Sequence, residues 1–168
     1  MNELLEIVQN KLQDKFGEAL LISEMQYDFP VFIIKKEKIK EVIRFLKEDE
    51  ELNFHFLTTL CGIHLPDNQP EEEFGVMYQL HNMPKGWRIR LKIFMPKADL
   101  DVPTLTDLYK TANWMERQEY DFFGFNFVGH PNLVRILNMD EMNYFPMRKE
   151  YALEDETRDD KNDTMFGR

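Results

Sequence analysis

A single cysteine, Cys61, stands in a chain of 168 residues. That excludes an internal disulfide, a thiolate-only metal site and a cysteine-ligated iron–sulfur cluster within the chain, and it agrees with a reducing compartment. Glycine is scarce at 7 residues, and none sits in a Gly-rich turn ending in Lys and Ser or Thr, so no phosphate loop is readable. An excess of positive charge is lacking too. The 31 acidic and 21 basic side chains leave a formal net charge of -10, which sets aside nonspecific attraction to nucleic acid or anionic lipid as a main activity. No apolar run approaches the roughly 20 residues that cross a bilayer, and the opening MNELLEIVQNKL is too acidic and too interrupted for a signal peptide. The chain is expected in the cytoplasm, with any membrane association lent by a partner.

What is present is a regular alternation of periodic segments. Leu4, Leu5, Val8, Leu12 and Phe16 form one helical stripe that Gly17 stops. ALLI and VFII, separated by polar residues and Pro30, predict two short strands, and Ile39, Val42, Ile43 and Leu46 predict a second amphipathic helix. FHFLTTLCGIHL is apolar but too short for its period to separate strand from helix. FGVMYQLHNM and WRIRLKIFM, joined by PKG, predict a β-hairpin whose face Arg88, Arg90, Lys92 is basic. Thr104 with Asp107 predicts a helix start, and Leu105, Leu108, Ala112 and Met115 continue its buried stripe toward Gly124. FNFVGHP and LVRIL read as extended. The expected fold is α+β, one domain over 1–150, followed by an acidic extended tail over 151–168 that has too little apolar content for a core of its own.

Metal and nucleophile chemistry find weak support. Cys61 and His64 supply at most half of a tetrahedral site, His55 adds no recognised spacing, and TTLCGI places no cation beside Cys61 to activate it. The dense stretch is ERQEYDFFGFNFVGHP, with charged Glu116, Arg117, Glu119 and Asp121 among Tyr120, Phe122, Phe123, Phe125 and Phe127. Glu116 and Glu119 as an acid/base pair define one reading, a stand-alone carboxylate-dependent hydrolase. Helical geometry favours another: Arg117 and Asp121 lie at i, i+4 and are expected to pair, and aromatics with arginine are the composition of interface centres. A docking surface without a cofactor is the expected function of the motif.

The same stretch, followed by LVRIL and PMRKEY, resembles the signature of the C subunit, of 30-kDa type, of proton-pumping NADH:quinone oxidoreductase, respiratory complex I. Glu116, Arg117, Asp121, Gly124, Gly129, His130, Pro131, Leu133, Arg135, Pro146, Arg148 and Lys149 fall on the matching positions, and LTTLCGIHLPD and YQLHNM resemble the middle section. Gln118, Val134, Met147 and Glu150 depart from the usual glutamate, basic residue, leucine and aspartate.

The resemblance implies a two-layer α/β sandwich with a mixed β-sheet and a non-catalytic structural subunit of the peripheral arm. It implies no metal, flavin or quinone in this chain, although the assembled complex uses NADH, FMN, iron–sulfur clusters and quinone. The implied partners are the quinone-site D subunit and the cluster-bearing B and I subunits, on the cytoplasmic side of the inner membrane, with no homo-oligomer and no nucleic acid. A related membrane-bound hydrogenase carries an equivalent subunit and is the alternative. The residues expected to dock are Glu116, Arg117, Tyr120, Asp121, Phe123, Gly124, His130, Pro131, Arg135, Pro146, Arg148 and Lys149, with Met165 and Phe166 of the tail as a second anchor.

Overall fold

The computed structural model describes residues 2–151. In chain order the elements are α1 (Asn2–Phe16), β1 (Leu20–Gln26), β2 (Phe29–Ile34), α2 (Ile39–Glu48), β3 (Phe56–His64), β4 (Phe74–Asn82), β5 (Trp87–Met95), β6 (Asp101–Pro103), α3 (Ala112–Phe123) and β7 (Asn126–Val128). Short 3-10 turns join several of them.

Five strands form one sheet in the order β1-β2-β5-β4-β3. It is mixed, because β2 and β5 run parallel while every other neighbouring pair is antiparallel. Alternation then divides the side chains between two faces. Phe32 and Ile34 of β2, Ile89, Leu91 and Ile93 of β5, Val76, Tyr78 and Leu80 of β4 and Leu60 of β3 point to one face and are buried. Val8 and Leu12 of α1 and Ile39, Val42, Ile43 and Leu46 of α2 close over them without exposed surface. Each such side chain contributes about 1.5–3 kcal/mol by leaving water, so the two-layer arrangement follows from the helical and strand periodicities meeting on one plane. β6 and β7 pair in parallel as a separate two-stranded ribbon flanking α3.

The two-layer α+β sandwich and its mixed sheet match the expectation, with adjustments at the element level. FHFLTTLCGIHL resolves as strand β3, because β4 offers it an antiparallel partner along its length. Pro30 lies inside β2 rather than before it, one residue ahead of Val31, where the ladder to β5 begins. The helix expected from Thr104 begins only at Ala112. Thr104 is not its cap: the Thr104 hydroxyl donates to Glu116 Oε2 at 2.5 Å, and the Leu105 carbonyl accepts from Leu108 and Tyr109 in a turn. LVRIL is irregular rather than a strand, since its amide groups turn to a side chain instead of a neighbouring strand. The tail expected over 151–168 lies outside the described residues from 152 onward.

α3 lies against β3 at Gly62. A methyl group there would stand 2.6 Å from the Phe123 ring, 2.7 Å from Phe125 and 2.8 Å from Glu119 Oε2. Gly62→Ala is therefore expected to destabilise the fold by about 1–3 kcal/mol through overpacking. Denaturant titration of the full-length variant checks this, and unchanged stability would show that α3 moves away freely.

Candidate functional site

Helix α3 buries an unusual stripe. Ala112, Glu116, Glu119 and Phe123 follow helical spacing and face inward, so two glutamates occupy positions that apolar residues ordinarily fill. Glu116 has no exposed surface: its Oε2 accepts from Thr104 Oγ1 and its Oε1 accepts from the Leu105 amide at 2.7 Å. It thereby pins the turn after β6 to the helix. Glu119 is 2% exposed and accepts from the Gly62 amide at 2.6 Å and from Gln118 Nε2 at 3.2 Å, which ties the helix to β3. Burial pushes both carboxyls up to about 7, against the hydrogen bonds that favour their charged forms.

Asp121 has the opposite environment. It also has no exposed surface, yet its oxygens accept from Arg135 Nη1 at 2.7 Å, the amides of Ile136, Leu137 and Asn138 at 3.2, 2.8 and 3.0 Å, and Asn138 Nδ2 at 3.0 Å. Burial alone would raise its carboxyl. The Asn138 and Leu137 amides, the Asn138 side chain and Arg135 outweigh it and hold the group well below the usual carboxylate range.

These bonds organise the irregular segment 129–151, which lacks helix and strand and takes its backbone partners from α3 instead. Arg135 bridges: Nη1 also donates to the Asp121 carbonyl, and Nη2 donates to the carbonyls of Met142 and Tyr144 at 2.9 and 3.1 Å. Arg117 donates to the carbonyls of Val134 and Arg135 at 3.1 and 3.3 Å and lies 4.8 Å from the Trp114 ring centre. The end of α3 is clamped as well. Gly124 takes the left-handed conformation, φ 81°, and Arg148 Nε donates to the last helical carbonyl, Phe123 O, at 2.7 Å while its guanidinium stacks between Phe74 and Phe145. The Lys149 amide donates to His64 Nδ1 at 2.8 Å, which leaves the His64 proton on Nε2, facing Glu73. His130 is held likewise: Nδ1 accepts from the Asn132 amide and Nε2 donates to Asn113 O.

The residues expected to dock thus fall into two groups. Glu116, Asp121 and Phe123 are enclosed within the chain: Glu116 holds the turn after β6, Phe123 packs beside Gly62, and Asp121 holds the segment from beneath. Arg117 does not pair with Asp121. Arg135 takes that place because a guanidinium arriving from the loop can enter beside the carboxylate, with only 8% of its side chain exposed. Tyr120, Arg135, Pro146 and Arg148 are half-buried, Pro131 and Lys149 are exposed, and Gly124 leaves no room for a side chain because Phe145 and Arg148 lie 2.6 and 2.7 Å from where one would start. Sequence reasoning missed the anchoring roles of His64 and Asn138 and the outward apolar residues of the segment. Trp114, Leu137, Met139 and Met147 are 64, 64, 69 and 52% exposed, with Val134 and Tyr144 beside them in sequence. The 112/116/119/123 spacing was the available signal that the glutamates are interior.

The model of the respiratory-chain NADH dehydrogenase 30-kDa subunit family matches residues 32–157, which includes α3 and the whole segment it organises. The chain belongs to that family. It is similar to the C subunit of NADH-quinone oxidoreductase from Citrifermentans bemidjiense, 38% identical over 89% of this chain and 90% of the relative. It is also similar to the C/D subunit of NADH-quinone oxidoreductase from Acinetobacter baylyi, 33% identical over 86% of this chain but 25% of that longer relative. Among solved structures it is similar to a chain of the membrane-bound sulfane sulfur reductase, an archaeal respiratory membrane complex. The TM-score there is 0.72 at 27% identity, over 88% of this chain and 85% of that one. A 30-kDa-type subunit works inside a multisubunit assembly, and among the described residues no helix is long and apolar enough to cross a membrane. Nor do the described residues gather three or more His, Cys, Asp or Glu side chains into a metal-sized group.

Two measurements follow from the three acids. Because the folded carboxyls of Glu116 and Glu119 are raised, the native state binds more protons between about pH 4.5 and 7, and stability falls as pH rises through that window. From pH 5 to pH 8 the stability of Glu119→Gln relative to the parent chain is expected to improve by up to about 3 kcal/mol. Denaturant titrations at both pH values check it, and an unchanged difference overturns the assignment. Asp121 has the reverse sign: its contribution is complete above the unfolded value near pH 4 and is lost as pH falls below it. Asp121→Ala leaves Arg135 buried without a counter-charge, costing about 3–5 kcal/mol. Amide exchange over 134–147 is expected to accelerate in that variant.

Proposed function

We propose that the chain is a structural, non-catalytic subunit of the peripheral arm of NADH:quinone oxidoreductase, holding no cofactor of its own, and that segment 129–151 is its main docking element. One observation carries this reading. The segment is long, irregular and fixed from beneath by three arginines, yet Leu137, Met139 and Met147 project outward with more than half of their surface exposed. Large apolar side chains exposed on a segment already held by hydrogen bonds suit a surface that another protein covers. Trp114, stacked on Arg117 at the margin, has the composition of an interface anchor.

The quinone-site D subunit is the proposed principal neighbour, supported by the relative that carries C and D in one chain. The cluster-bearing B and I subunits are proposed as further neighbours. NADH, FMN, the clusters and quinone then belong to those other subunits, and this chain sits on the cytoplasmic side of the membrane. The archaeal neighbour indicates that the fold also serves a complex of different name, but the relatives of C type favour the NADH:quinone reading. A hydrolase using Glu116 and Glu119 is disfavoured, because a substrate reaching either carboxylate would first have to unpack α3.

Leu137→Asp combined with Met139→Asp tests the proposal in membranes. The amount of complete complex is expected to fall by at least tenfold, with NADH:quinone activity per assembled complex unchanged and the stability of the free subunit unaltered. Normal assembly with lost turnover would overturn the structural reading. Normal assembly with normal turnover would move the interface elsewhere.

A further inference from the structure

The helices cover only one face of the sheet. On the other, the central strand β5 presents Arg88, Arg90 and Lys92 at alternate positions, flanked by Phe29 and Val31 of β2, Met77, Gln79 and His81 of β4 and Cys61 of β3. In a chain with a net charge of -10, three successive outward residues on a central strand are cationic. None of the three forms an ion pair among the described residues. Glu24 on β1, in register with Val31 and so with Arg90, is engaged by Gln26 Nε2, while Lys92 Nζ donates to Gln26 Oε1 at 2.8 Å. Arg90 Nε donates to Gln79 Oε1 at 3.1 Å and its guanidinium covers Phe29, which leaves its terminal nitrogens without an acceptor among the described residues.

Gln79 supplies a second, independent sign. It is 7% exposed, and Arg90 fixes its amide so that Oε1 is used and Nε2 has no partner, an orphaned donor beside unpaired cations. A buried amide hydrogen without an acceptor costs about as much as a lost hydrogen bond and marks a place where an acceptor belongs.

We infer that this open sheet face is a second docking surface, distinct from segment 129–151, and that it receives an acidic segment of another subunit whose carboxylate is bound by Arg90 and Gln79 Nε2, with Arg88 and Lys92 pairing to its flanking acids. Alternate strand residues stand about 7 Å apart, a spacing that carboxylates at alternate positions of an extended chain reproduce. The chain's own negative field opposes a nucleic acid or an anionic bilayer, whose affinity rests on many cations acting together. A short acidic segment carries few charges, so this repulsion is small beside its pairing with the three local cations and the contacts that hold it near. The inference rests on membership of the assembly proposed above.

The test uses the intact complex. Carbodiimide, which joins an amine to a carboxylate without a spacer, is expected to link Lys92 to an Asp or Glu of a different subunit, read by mass spectrometry. Alkylation of Cys61, half-buried on the same face, is expected to slow at least tenfold in the complex relative to the free subunit. Arg90→Glu with Lys92→Glu is expected to lower assembly, and reversing the cross-linked acid to Lys is expected to restore it. Links only to Glu24, to residues 152–168 or to a second copy of this chain overturn the inference, as does Cys61 alkylation at equal rates. So does protection of this face by added nucleic acid or anionic vesicles in place of a subunit. If Leu137→Asp with Met139→Asp abolishes assembly while the Arg90 and Lys92 changes do not, the structural reading stands and this face is free. If the chain never copurifies with the complex, the structural reading itself has failed.

Discussion

The carboxylate of Asp121 is the point on which segment 129–151 hangs. Three consecutive backbone amides, an asparagine side chain and a guanidinium converge on it, and no regular ladder is available to satisfy those amides otherwise. Hydrogen bonds to a charged group contribute about 1.5–3 kcal/mol each when buried. The ion pair beneath them is stabilising only while both members are present. Arg135 extends the arrangement outward by holding two further carbonyls, so one buried charge pair fixes the chain from Arg135 to Tyr144.

Two other acids on the same helix are treated in a different way. Glu116 and Glu119 lack a cation within ion-pair distance among the described residues and are met by backbone amides, a hydroxyl and an amide side chain, so burial dominates and lifts their protonation range toward neutrality. Each still has a structural role, one joining the helix to the turn after β6 and the other to β3. α3 is therefore a scaffold with polar fixings rather than a helix held by apolar packing alone, and its register against the sheet is specified by hydrogen bonds that a sliding helix would lose. Gly62 completes this by permitting the close approach.

The fold leaves two unlike surfaces. Segment 129–151 exposes Leu137, Met139 and Met147 above its polar fixings, whereas the uncovered sheet face is cationic and keeps one unsatisfied amide donor. If both are contact surfaces, as proposed, their different chemistry would let one small chain meet more than one neighbour without the sites competing.

Much of this was legible in the residue order. Periodicity located α1, α2 and β5 because each buries one face against one layer, and that pattern is local; β4, buried on both faces, was found as the hairpin partner of β5. Arg117 was recognisable from its place among aromatics, and Arg135 and Arg148 only from the family resemblance. Local order did not determine which acid pairs with which base. Arg117 and Asp121 stand one helical turn apart and were the natural pair, yet segment 129–151 folds over Asp121 and Arg135, fourteen residues on, reaches it from that loop. It could not show that β3 is a strand, because only the edge of β4 decides that, nor what Glu116 bonds to once buried, because its partners come from a turn up to twelve residues earlier. The physical reason is common to all three. A charge or an amide group takes the partner that tertiary folding brings to it after water is removed, and sequence spacing reports only the partners that a single helix or strand can offer.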